Sequence, residues 1–317
     1  MINKYVLNIE PKDYSAKAIA IWKKYNFSYN ESSWEVIEKK NIKSPASIII
    51  IRLDRYISKK ELSYFPNLKF IISATTGQTH LDIGLLNELN IKSILLKNHT
   101  EFLNTIPSTA EFSWALVLSL FKKIPSANEH VKNYKWNRNL FIGSQLKDKK
   151  IGIIGLGRTG LKVAKYALSF EMKVYYYDPY VSNNLYNKIS DFKLFLKTCD
   201  VFSFHVHLCE DTYHMINKSN ISLIKSNSYL INTSRGEIID QNVICDALNK
   251  GKIGGFATDV LENEYSNIKN NELVKLMRDG KNIIVTPHIA GASYDAMRDC
   301  EIFLANYFTK NFINKFK

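Results

Sequence analysis

The chain alternates short apolar runs with stretches whose apolar residues recur every three to four positions. Residues 4–10, 47–54, 68–74 and 91–97 are rich in Ile, Val, Leu and Phe, which predicts strands. Between them, 15–25, 58–65 and 81–89 predict amphipathic helices. Such alternation predicts parallel sheets joined by helical crossovers, an α/β fold. Residues 108–123 predict a long, largely buried helix punctuated by Pro107 and Pro125, and 126–133 predict a second. After a polar stretch the alternation restarts. Strands are predicted at 150–154, 173–178, 201–206, 229–233, 255–260 and 282–286, and six is the strand number of a doubly wound dinucleotide-binding sheet. A helix over 293–312 lies beyond them.

Composition narrows the class. The 317 residues are 45% hydrophobic and 23% charged, which is enough apolar material for sizeable cores and excludes wholesale disorder. The length predicts about two domains. The four cysteines (Cys199, Cys209, Cys245, Cys300) form no CxxC, which argues against a disulfide scaffold or a cysteine-based metal site and fits a reducing cytoplasm. The first residues hold no long apolar segment, and the longest apolar stretch, 114–121, is far short of the ~20 residues a membrane span needs. A soluble, cytoplasmic protein with no membrane partner is expected. The net charge of +13 raises nucleic-acid binding. However, only seven of the 43 basic residues are Arg, the lysines are scattered, and no motif supports that reading. The excess is read as solvated surface.

Glycine usage changes abruptly: two in residues 1–142, eleven in 143–291. The second group opens onto Gly155-Leu156-Gly157-Arg158-Thr159-Gly160, between a predicted strand and a predicted helix. That context suits a pyrophosphate. Gly155 permits a tight turn, Gly157 a close backbone approach and Gly160 close helix–strand packing, with helix N–H groups facing the phosphates. Asp178, eighteen residues after Gly160, ends the next strand, where a carboxylate accepts from ribose hydroxyls and repels a 2′-phosphate. NAD is therefore expected over NADP.

Three further polar clusters sit at or just past predicted strand ends, where open α/β sheets bind ligands. They are Ser234-Arg235-Gly236-Glu237, Asp259 through Glu262 and Glu264, and Thr286-Pro287-His288 through Gly291. Taken singly, each has a structural explanation: a surface ion pair, a helix cap or a buried histidine. Alternation alone leaves Glu262 and Glu264 equivalent.

In combination these motifs resemble the D-isomer-specific 2-hydroxyacid dehydrogenases, over most of residues 68–300. Phosphoglycerate dehydrogenases are the nearest branch, with glyoxylate, hydroxypyruvate and D-lactate enzymes close by. The resemblance implies two doubly wound parallel-sheet domains. A Rossmann NAD-binding domain, 104–289, is inserted into a smaller flavodoxin-like substrate domain, 1–103 plus 290–317. It implies hydride transfer between nicotinamide and a D-2-hydroxy acid or 2-oxo acid, a phosphorylated one such as 3-phosphoglycerate included. Arg235 would clamp the 2-oxo acid through its planar fork of donors. His288 would exchange the proton, a role imidazole suits by its ordinary titration range. The family spacing selects Glu264, not Glu262, as the acid orienting it. Cofactor contacts are expected from Gly155, Gly157, Arg158, Thr159, Gly160, Asp178, His205, Thr233, Asp259 (at the nicotinamide amide) and Gly291. Substrate contacts are expected from Arg52, Thr76, Gly77, Arg138 and Arg235, with Arg138 reaching a partner subunit's site in a homodimer. Phe102, Phe112, Trp114 and Trp136 are candidates for its interface.

Departures from the family pattern are Tyr265 and His207, where relatives carry Pro, and a single glycine, Gly77, in the substrate loop. No regulatory domain follows the last predicted helix, so inhibition by L-serine is not expected. A rival reading is an NAD(H)-sensing corepressor-like protein on the same fold. Formate oxidation is a remote one, since Glu264 is not the residue type it requires.

Overall fold

Four consecutive isoleucines, Ile48–Ile51, are all buried, and a strand without a polar face belongs inside a parallel sheet. In the computed structural model, which describes residues 3–316, this strand is β3 of a sheet containing β1 (Tyr5–Asn8), β2 (Ser28–Glu31), β4 (Phe70–Ser73) and β5 (Lys92–Ile94). The order is β2-β1-β3-β4-β5 with every pairing parallel, the flavodoxin-like arrangement. β2, with sequence SYNE, lies outside the predicted strands: it is a polar edge strand with no buried residue.

The chain divides into two compact units, Met1–Thr105 with Ala292–Lys317, and Ile106–Gly291. Helix Tyr294–Phe312 therefore belongs with the first sheet, and it is fastened there by charge and by rings. Glu301, 3% exposed, accepts from the Ser15 N–H and from Arg52 Nη2, both at 2.7 Å. Phe308 packs against Trp22 and Phe70 at ring separations of 5.4 and 5.0 Å. An ion pair this buried is costly to break, because either partner alone is left desolvated.

The second unit carries seven parallel strands. They are β6 (Lys150–Ile154), β7 (Lys173–Tyr177), β8 (Asn187–Lys188), β9 (Val201–Phe204), β10 (Ser228–Asn232), β11 (Ile253–Thr258) and β12 (Ile283–Val285). The order is β12-β11-β10-β9-β6-β7-β8, so the six predicted strands gain a two-residue polar edge, β8. Side chains alternate between two cores. Ile154, Phe202, Phe204, Leu230 and Phe256 face one, while Ile151, Ile153, Val201, Ile231 and Ala257 face the other. The chain passes from β8 at one edge back across to β9 beside β6. The strand order therefore reverses between β6 and β9, the switch point where such sheets hold ligands. Among the described residues no helix is long and apolar enough to cross a membrane.

Candidate active site

The loop after β6 sits at that switch point and is built by exclusion. Gly155 has φ +85°, and a Cβ there would lie 2.5 Å from the His205 carbonyl oxygen. A Cβ on Gly160 would lie 2.1 Å from the Gly155 oxygen. Over Gly157, by contrast, nothing lies within 4 Å. Helix Arg158–Ser169 begins there without a side-chain cap, and its first N–H groups face a place where backbone is open to approach. Asp178, just past β7, accepts from Leu156 N at 2.8 Å through Oδ2, and from Tyr180 N and Val181 N through Oδ1. Its carboxylate thus ties the glycine loop to the end of β7, with about one of its roughly four acceptor positions left for a ribose hydroxyl. The open glycine, the helix start and the acid fit a dinucleotide. Arg158 reaches the Ile106 carbonyl at 3.4 Å, while Thr159 is partly buried in the first turn. His205 bonds Ser203 Oγ at 2.8 Å, and burial pushes its pKa down to about 3, so the ring is neutral.

The candidate catalytic side chains come from three adjacent strand ends. β10 ends at the buried Asn232, whose Nδ2 donates to the Arg235 carbonyl at 2.8 Å and whose Oδ1 accepts from Ser234 N. Thr233 Oγ1 meets Ser113 Oγ at 2.7 Å. These bonds hold the turn carrying Arg235. β11 ends at Asp259, 1% exposed. Its carboxylate accepts from Thr286 Oγ1, from Ile289 N at 3.0 Å and from Ala290 N at 2.7 Å. Burial still raises its pKa, against those three donors. With these hydrogen bonds Asp259 frames the turn containing His288. That histidine, φ +54°, has Nδ1 2.7 Å from Glu264 Oε2. Gly291 closes the turn, 3.8 Å from Thr109 Oγ1 if given a Cβ.

The structure also separates the two glutamates. Glu264 pairs with His288, whereas Glu262 pairs with His214 at 3.1 Å. Asn263 between them is left-handed, φ +60°, which turns the two side chains to different partners. His214 was not visible as a site residue in the sequence, where it lies in a loop with no motif of its own.

The residues expected at the substrate in the first unit are placed differently from one another. Thr76 and Gly77 lie in the loop after β4, where Thr75 Oγ1 donates to the Gly77 carbonyl at 3.1 Å. Arg52 is committed: it donates to the Lys12 carbonyl and to Glu301, both at 2.7 Å. In the second unit, Arg138 begins an exposed 3-10 turn, Arg138–Phe141. His207 and Tyr265 are exposed. Of the aromatic residues, Phe102 is partly buried and stacks on Phe303 at 4.1 Å, and Trp114 is 7% exposed in the second unit's core. Phe112 is partly buried in the second unit's core, but Trp136 is 89% exposed.

A family described as D-isomer specific 2-hydroxyacid dehydrogenase, NAD binding domain, matches residues 114–290. Glyoxylate reductase from Thermococcus litoralis is 36% identical over 251 residues, covering 76% of this chain and 72% of that protein. D-3-phosphoglycerate dehydrogenase from Archaeoglobus fulgidus is 35% identical over 261 residues, covering 81% of this chain; the chain spans about half, 48%, of that longer relative. Among solved structures, a D-lactate dehydrogenase from Aquifex aeolicus complexed with NAD and lactic acid superposes with a TM-score of 0.77 at 26% identity, covering 98% of this chain and 96% of that one.

Proposed function

Because this chain belongs to the D-isomer-specific 2-hydroxyacid dehydrogenase family, we propose that it reduces a small, unphosphorylated 2-oxo acid with Arg235, Glu264 and His288 as its catalytic residues. The observation that carries this reading is the 2.7 Å His288–Glu264 pair, placed on strand ends next to the one that holds Arg235. NAD, the cofactor of the family, supplies or accepts the hydride when bound. The chain's own residues do the rest. Arg235 offers a fork of donors to the carboxylate and ketone oxygens. With Nδ1 on Glu264, His288 keeps Nε2 for the proton exchanged with the substrate oxygen. Asp178 selects against a 2′-phosphate. Cofactor contacts from Gly155, Gly157, Gly160, His205 and Thr233 belong to the same reading, in which the second unit binds NAD and the first binds substrate.

Arg52 is the reason for excluding a phosphate. Its guanidinium is engaged by a buried carboxylate, and releasing it would strand Glu301 without its charge partner. A panel of glyoxylate, hydroxypyruvate, 2-oxoglutarate and phosphohydroxypyruvate with NADH tests this. The highest kcat/KM should fall on an unphosphorylated acid. A clear preference for phosphohydroxypyruvate would overturn the substrate assignment, and no turnover on any of them would favour the cofactor-sensing reading.

The protein is further proposed to act as a cytoplasmic homodimer. Helix Ile124–Lys132 buries no residue, and Tyr134, Trp136, Leu140 and Ile142 beyond it are each more than half exposed. Such an apolar strap suits a second copy of the chain. Sedimentation velocity should give twice the chain mass, and Trp136→Glu should shift it toward the monomer. A monomeric wild type would end this assignment.

A further inference from the structure

Two histidine–glutamate pairs leave the same turn after β11, and only one of them is accounted for. His214 lies outside the catalytic clusters, yet it touches two of the three loops that carry them. Its main-chain N–H donates to the Glu237 carbonyl, and the next N–H, of Met215, donates to the Ile238 carbonyl, both at 2.8 Å. Ile216 then pairs with Ile239 as an isolated parallel bridge, and Asp240 N donates back to Ile216 at 2.9 Å. Residues 214–216 are thus zipped onto the segment that directly follows Arg235-Gly236. From the same residue, the imidazole Nε2 reaches Glu262 Oε1 at 3.1 Å, two positions before Glu264. Tyr213 stacks on the ring at 4.1 Å with an interplanar angle of 17°, and Asn217 Nδ2 donates to the His214 carbonyl at 2.8 Å, so its position is fixed from both sides.

We infer that His214 is a positioning residue: through Glu262 it clamps the turn bearing Glu264 to the segment behind Arg235, keeping the acid and the guanidinium in register. This rests on the catalytic reading of Arg235, Glu264 and His288 given above. The rigid part of the link is already present in Gly236, whose backbone runs directly beneath that of Leu261 and Glu262. His214–Glu262 closes the same turn from its side-chain face. Both side chains are about a quarter exposed, so the bond is not a buried core contact. The left-handed Asn263 lies between the two glutamates, so a backbone rotation there moves Glu264 relative to the clamped Glu262.

The test compares His214→Ala, Glu262→Ala and Glu262→Gln with His288→Ala on the best 2-oxo acid of the panel. Glutamine keeps an acceptor for the imidazole N–H without the charge. His214→Ala and Glu262→Ala should each lower kcat about tenfold with KM for both substrates within about threefold, as expected when groups are misplaced rather than removed. Glu262→Gln should recover most of the loss. Hydrogen exchange should quicken at residues 261–266 in both alanine variants, a readout that does not need turnover. Unchanged kcat and unchanged exchange in His214→Ala would overturn the inference, as would a glutamine variant as slow as the alanine one. Should His288→Ala itself keep full turnover, the catalytic reading falls; should His288→Ala be inactive while His214→Ala is normal, only the inference falls.

Discussion

His288→Ala should lower kcat by between a hundredfold and ten-thousandfold, the range of a single acid–base group. NADH binding, followed by the quenching or enhancement of its fluorescence, should stay close to wild type. The reason for the split is spatial. The glycine loop is tied to Asp178 by the Leu156 N–H, whereas the His288 turn is framed by Asp259. Removing the imidazole leaves Asp259's three hydrogen bonds in place, because they come from Thr286, Ile289 and Ala290 and not from the ring. Steady-state kinetics with NADH and the preferred 2-oxo acid reads the effect, and near-normal turnover would remove His288 from the mechanism.

The second large effect is expected from Gly236→Ala. A Cβ at this position would sit 2.1 Å from the Leu261 carbonyl carbon, 2.2 Å from Glu262 N and 2.3 Å from the Leu261 oxygen. All three are backbone atoms, so no side-chain rotation relieves the clash, and the two turns must separate. Overpacking of this kind costs about 1–3 kcal/mol, which in a domain of this size lowers the melting temperature by roughly 2–4 °C per kcal/mol. Activity should suffer more than stability. Displacing reacting groups by about 1 Å costs on the order of a hundredfold, and the displaced turns carry Arg235 and Glu264. A variant that melts lower but keeps its kcat would show that the spacing of these turns does not matter to the chemistry.

The parts of this molecule legible in its sequence are those whose signal is local. The isoleucine run of β3 and the apolar runs of β6, β9 and β10 mark buried strands, and the C-terminal ends of the last three lead to the glycine loop, His205 and Arg235. β2 and β8 were invisible for the opposite reason. Each is a polar edge strand, paired on one side only, with no apolar alternation to betray it. Glu262 and Glu264 could not be told apart by residue type, because a backbone dihedral at Asn263 decides between them. The family spacing pointed to the glutamate that the structure sets against His288. The partner of Arg52 was equally hidden, since Glu301 lies 249 residues further along the chain. The donors that hold Asp259 were hidden for a similar reason: they sit 27 to 31 residues away, just past the end of β12.

The attachment of helix Tyr294–Phe312 to the first sheet has a consequence for biosynthesis. Glu301 bonds the Ser15 N–H across 286 residues, and Phe308 fills the space between Trp22 and Phe70. The second unit is one continuous stretch, complete once Gly291 has left the ribosome. The first sheet has all its strands after Ile94, yet its covering helix, Tyr294–Phe312, is complete only more than two hundred residues later. The unit synthesised first is therefore the last to close. Throughout translation of the second, its apolar face at Trp22, Phe27 and Phe70 is left to chaperones or to misassociation.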